Sequence, residues 1–151
     1  MTRIGTTRGF SLIELIVTVA LLMILCGLAI PMAKHTAQRE KERALRTNLQ
    51  VLRDAIDRYA EGSQSGKFFK APSYGYPPTL DALVNPIELQ GGKKLRLLRE
   101  IPVDPMTGDR DWGVHSMEDD PASDDWDGGQ IWDVYSKAQG IGLNSVKYRD
   151  W

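Results

Sequence analysis

No charged side chain interrupts residues 15–33 of this chain, a run close to the roughly 20 apolar residues that a helix needs to cross a bilayer's hydrocarbon core. One carboxylate, Glu14, stands at its leading edge, and Arg3 and Arg8 precede it. An unpartnered carboxylate at membrane depth costs about 2.5–3.5 kcal/mol on insertion scales. Glu14 therefore needs a partner.

Three ordinary readings of an apolar N-terminus fit poorly. A secretory signal has a shorter apolar core followed by a small-residue cleavage site, whereas Gly27-Leu28-Ala29-Ile30-Pro31 puts a Pro where the cut would fall. A lipoprotein signal wants a small residue before its Cys, and Leu25 precedes Cys26. A plain membrane anchor explains the length but leaves Glu14 unexplained.

Arg8-Gly9-Phe10-Ser11-Leu12-Ile13-Glu14 resembles the cleavage site of type IV pilins and type II secretion pseudopilins. The resemblance implies that a prepilin peptidase cuts between Gly9 and Phe10, that the new N-terminal Phe10 is methylated, and that Glu14 becomes the fifth residue. It also supplies the partner: cleavage exposes an α-amino group at Phe10, whose reference pKa is about 7.7–8.0. In an apolar bundle that ammonium and the Glu14 carboxylate of an adjacent subunit attract strongly, and losing either leaves the other unpaired. Phe10 and Glu14 are thus expected to be assembly residues.

The expected organisation is a cleaved leader (residues 1–9), a transmembrane and assembly half-helix (10–33), an exported amphipathic half-helix (34–61) and a periplasmic globular domain (62–151). The leading Arg residues favour a cytoplasmic N-terminus, although Lys34, Arg39 and Lys41 weigh the other way, and the resemblance decides for a single-pass inner-membrane topology. Pro31 cannot donate to the carbonyl of Gly27, which makes this pair an expected weak point of the helix. Leu45, Leu49, Leu52, Ile56 and Tyr59 then repeat at spacings of three and four, the mark of an apolar stripe facing a core. The helix is expected to end near Ala60, before Gly62-Ser63-Gln64-Ser65-Gly66.

Beyond it, Thr79 is placed as the N-cap of a short helix that Asn85-Pro86 stops. Gly91-Gly92 reads as a turn, and residues 95–101, 112–116 and 130–135 as strands. Pro102 and Pro105 bracket a tight connection, and Trp151 should tuck against the domain. The fold class is α+β: a long N-terminal helix packed on a small C-terminal domain with a short antiparallel sheet, as in pilins.

Tyr76-Pro77 with Leu80 and Leu83, residues 98–105, Gly108, Trp112, residues 133–136 and Trp151 resemble the major, G-type pseudopilin. That family commonly binds calcium through aspartates after a strand ending in a Ser like Ser136. Here residues 137–142 hold no carboxylate, so this site is not carried over. Asp124, Asp125 and Asp127 beside Gly128-Gly129 are weak alternative cation ligands, since Val134 stands where an EF-hand-type loop needs Glu. No cofactor is expected, and calcium is left as a possibility to be tested.

The net charge of −1 gives no argument for nucleic acid. Bases outnumber acids across residues 34–58, while residues 104–127 are acidic with only Arg110 against them. These runs are solvated faces or, alternatively, surfaces by which neighbouring subunits meet. The one cysteine, Cys26, leaves the domain without a disulfide, so helix packing, an ion or neighbouring subunits must stabilise it. Only His35 and His115 are available as histidines, and no nucleophile elbow, zinc spacing or P-loop occurs, so catalysis is not expected.

The expected role is a filament subunit for type II secretion through the outer membrane. Its expected partners are further copies of itself, prepilin peptidase, minor pseudopilins, the inner-membrane platform and the inner membrane. The alternatives are a type IV pilin, a minor pseudopilin, or a monomeric membrane-tethered binding module.

Overall fold

A computed structural model describes residues 9–68, 75–119, 126 and 128–151, and of residues 26–34 it describes the backbone alone. The fold is α+β, a long helix followed by a small domain with short antiparallel sheets. Helix α1 covers Leu12–Gln64 and is helical through Gly27 and Pro31. The chain divides into two compact units, residues 1–39 and residues 40–151.

In the second unit the stripe on α1 builds the core. Leu45, Leu49, Leu52, Ile56 and Tyr59 are buried, together with Phe68, Leu83, Trp112, Ile131, Val134 and Tyr148. Burying each large aliphatic side chain stabilises by about 1.5–3 kcal/mol, which makes this face the main stabilising element of a unit without a disulfide. Tyr59 meets Phe68 edge-on at 5.3 Å, and burial pushes its hydroxyl pKa up.

The helix outruns its expected end by about one turn. Gly62 stays helical with the Phe68 ring so close that no Cβ would fit. Termination falls instead at Gly66, in the left-handed conformation at φ +68°. The Gly66 N–H donates to Ser63 O and the Lys67 N–H to Gly62 O, each at 3.1 Å, which is the Schellman pattern.

Helix α2 spans Asp81–Val84 and stops at the extended Asn85. Thr79 does not cap it. The residue before α2 is Leu80, already in helical conformation and with no side-chain cap, and the Thr79 carbonyl accepts from the Ala82 N–H at 3.1 Å. The backbone turn leaves the Thr79 hydroxyl no capping task.

Strands β1 (Ile87–Glu88) and β2 (Lys94–Leu95) pair antiparallel around the Gly91-Gly92 turn. Of the strand expected over residues 95–101 only Leu95 is in β2. The N–H groups of Leu97 and Leu98 both turn to the Leu83 carbonyl, at 3.2 and 2.9 Å, and so leave no ladder to extend. Strands β3 (Gly113–His115) and β4 (Asp133–Tyr135) form a second antiparallel pair with Gly113 opposite Tyr135 and His115 opposite Asp133. Here too the strands are shorter than the expected segments. The Tyr135 ring lies over Gly113, where a Cβ would collide with it, and stacks on His115 at 4.5 Å.

A short 3-10 turn, η1 (Tyr148–Asp150), leads to Trp151. Side chains of α1 hold this end. Glu42, buried, accepts from the Leu143 N–H at 2.9 Å and the Tyr148 hydroxyl at 3.1 Å. The Arg46 guanidinium lies 4.2 Å over the Trp151 ring. Arg53 donates to Asp133 at 2.6 Å and to the carbonyl oxygen of Trp151 at 2.7 Å.

Candidate assembly site

The first unit presents the N-terminal segment. Gly9 and Phe10 precede α1, and Ser11 begins it: its carbonyl accepts from the Leu15 N–H at 3.1 Å. Glu14 falls in the first turn. Ser11 and Glu14 thus have the spacing of a capping box, a local signal that sequence reading passed over. A carboxylate near a helix N-terminus gains about 0.3–1 kcal/mol from the helix dipole. That is well below the 2.5–3.5 kcal/mol cost at membrane depth, so the helix end alone does not account for Glu14 in such a run.

Around Glu14 the surface is apolar and uncovered. Phe10 is 79 % exposed and Leu12 75 %, and the exposure continues through Ile13, Ile16, Leu21 and Leu25. Thr18 satisfies its hydroxyl within the helix by donating to the Leu15 carbonyl at 2.8 Å, so it adds no polar demand to this face. An apolar surface of this extent marks a protein or lipid contact. Among the described residues no helix is long and apolar enough to cross a membrane, and the described side chains of the run end at Leu25.

Gly27 and Pro31 lie within α1. Asp124, Asp125 and Asp127 lie outside the described residues. His115 is in β3, stacked on Tyr135 and opposite Asp133 in the ladder. Among the described residues no group of three or more His, Cys, Asp or Glu could hold a metal. The loop after β4 does not suit calcium. The Ser136 hydroxyl donates to Asp104 at 2.5 Å, and the Lys137 ammonium occupies the rim, 2.7 Å from Asp111.

Asp104 was passed over as part of a tight turn, yet it is fully buried. Besides the Ser136 hydroxyl it accepts the Met106 N–H at 2.8 Å. This pair ties the Pro102–Pro105 connection to the end of β4.

Residues 6–30 match the family model described as the Prokaryotic N-terminal methylation motif. The motif is the signal of type IV pilins and pseudopilins, for which it implies processing by a prepilin peptidase and assembly into a pilus or pseudopilus, and it gives the N-terminal segment of this chain a pilin-like character. It points to a membrane-anchored precursor. No curated protein and no solved structure matches the chain.

Proposed function

We propose that this chain is a structural subunit of a periplasmic pseudopilus, polymerising through its N-terminal helix to help drive protein export by type II secretion. The observation that carries the reading is the coincidence of the methylation motif at residues 6–30 with an exposed apolar surface that begins at Phe10, ahead of the helix, and continues onto the first turns of α1 around Glu14. In this reading prepilin peptidase cuts between Gly9 and Phe10, and residues 10–33 sit in the inner membrane with the N-terminus in the cytoplasm. Residues 62–151 form the periplasmic domain, which the amphipathic half-helix of residues 34–61 supports.

Glu14 then accepts the Phe10 ammonium of a neighbour. The pair neutralises two groups that are each expensive in an apolar bundle. Gly27 and Pro31 supply a point at which the helix can extend as subunits pack, since the Pro31 ring removes one backbone hydrogen bond. The resemblance to the G-type subunit, together with Glu14, favours the major filament component. Minor pseudopilins and the inner-membrane platform are its partners in this scheme.

The test is Glu14→Val. That variant is expected to insert and be cleaved as the parent is, yet to be absent from sheared filaments. Filaments at parental yield from the Val variant, with cleavage intact, would refute the role.

A further inference from the structure

We propose that the turn of residues 141–147 docks the second unit on an anionic phospholipid surface while the subunit is anchored and not yet assembled. The proposal rests on the membrane-anchored reading above. The tip of this turn is apolar and uncovered: Ile141 is 60 % exposed, Leu143 41 % and Val146 39 %. It is also held in one shape. Ile141 bridges Lys147 in antiparallel fashion, the Gly142 N–H donates to Val146 O at 2.8 Å, and the Ser145 N–H donates to Gly142 O at 2.9 Å. The Asn144 side chain accepts from the Val146 N–H at 3.2 Å. Ser145 sits in the left-handed region at φ +63°, a conformation that costs any residue other than glycine. Under the turn, the Trp151 ring comes so close to Gly142 that a Cβ there would collide with it. Three aliphatic side chains presented on a fixed backbone mark a contact surface, and the fixed backbone lowers the ordering cost of making the contact.

Reach and charge name the occupant. The Leu143 N–H donates to the buried Glu42 of α1 at 2.9 Å, which fixes the turn to that point of the helix. Glu42 lies nine residues after Ala33, the end of the uncharged run, and a link of that length spans at most about 32 Å in any conformation. A surface tethered so closely to the anchor meets the lipid headgroups at a high effective concentration. Lys41 and Arg43 flank Glu42 in sequence, Lys147 closes the turn, and all three are exposed. Among the described residues none of the three makes an ion pair. Against them stand the exposed Glu40 and Asp150, and Asp150 already lies 3.8 Å from Arg149. Aliphatic side chains bordered by cations suit a bilayer interface, where the apolar groups reach below the headgroups and the cations meet the phosphates. A protein partner would have to bring acidic groups around an apolar hollow. An anionic bilayer offers both wherever the anchor holds the chain.

Lipid quenching in the full-length chain tests this, with Cys26→Ser as background. The chain is reconstituted at high dilution in vesicles of phosphatidylethanolamine and phosphatidylglycerol, and Leu143→Cys carries an environment-sensitive fluorophore. Lipid brominated in its acyl chains should quench that probe, and the quenching should fade as salt is raised or as phosphatidylcholine replaces phosphatidylglycerol. Lys147→Gln should lower the ratio of docked to undocked probe about fivefold, the weight of one cation at an anionic surface. Ile141→Ser with Val146→Ser should weaken the quenching at every salt concentration. A probe at Ser65→Cys, past the far end of α1 and about 33 Å along the helix from Glu42, should stay unquenched. Quenching at residue 143 that ignores lipid charge and Lys147→Gln, or that only equals the value at residue 65, overturns the docking. So does shielding of the probe that appears only as chains are crowded in the bilayer, since a second copy is then the occupant. A probe at Leu21→Cys that the brominated lipid fails to quench sinks the anchor reading itself. Quenching at residue 21 without quenching at residue 143 sinks the docking alone.

Discussion

Replacing Asp104 should be among the most damaging single changes to the domain. The carboxylate is fully buried. It accepts from the Ser136 hydroxyl at 2.5 Å and from the Met106 N–H at 2.8 Å. The Asp104 backbone closes the same loop, donating to Asp109 O and accepting from the Gly108 N–H, each at 2.8 Å. Asp104→Ala leaves two donors without acceptors in a dry site. Hydrogen bonds to a charged group contribute about 1.5–3 kcal/mol each, and relief of the carboxylate's own desolvation pulls the total toward the lower end. A loss of about 3 kcal/mol is expected, which corresponds to roughly 10 °C in Tm for a domain of this size. Asp104→Asn, which keeps an acceptor for Met106, should lose less. Urea unfolding of the unit of residues 40–151, followed by circular dichroism, measures each loss, and adding Ser136→Ala to Asp104→Ala should cost little more. A loss below about 1 kcal/mol for Asp104→Ala, or full additivity with Ser136→Ala, would refute the buried pair as the tie between these loops.

Leu52 is fully buried on the α1 stripe, so Leu52→Ala should lose about 2–5 kcal/mol in the same urea experiment. Burial raises the Tyr59 pKa above 10.0. The unfolded chain thus releases this proton at lower pH than the folded one, and stability present below pH 10 falls as pH rises through the folded-state value. Tyr59→Phe should flatten that fall in unfolding midpoints measured on either side of pH 10. Millimolar calcium should move the melting temperature little, since a ligand stabilises only as RT ln(1 + [L]/Kd); a rise of many degrees abolished by Asp125→Ala with Asp127→Ala would overturn that expectation. A bulky residue at Gly9 should block cleavage, while Gly9→Ala is better tolerated, as immunoblots of precursor and product would report.

What was legible in the sequence is what is written locally. The stripe from Leu45 to Tyr59 declared both the helix and its buried face, because a helix returns the same face every three or four residues. The Gly91-Gly92 turn and the stop at Asn85-Pro86 were local in the same sense. The helix end was misplaced because Gly62 reads as a breaker, whereas its missing Cβ is used to admit Phe68. The strand expected after Leu95 failed because its N–H groups found the Leu83 carbonyl, a contact no window of sequence contains. Asp104 was illegible for the same reason: its hydroxyl partner lies at Ser136, across the domain fold. At the candidate site the motif around Gly9 and Phe10 was plain, whereas the capping-box spacing of Ser11 and Glu14 lies inside that motif and shows as a helix start only once α1 is seen to begin at Leu12.

The central claim is that this chain is a processed, methylated filament subunit, and the mass of its mature N-terminal peptide tests it most directly. Membranes from cells expressing the full chain with a prepilin peptidase should yield a peptide that begins at Phe10 and carries one extra methyl group on its α-amine. A mature protein that begins at Met1, or one cut after Ala33, would contradict the account.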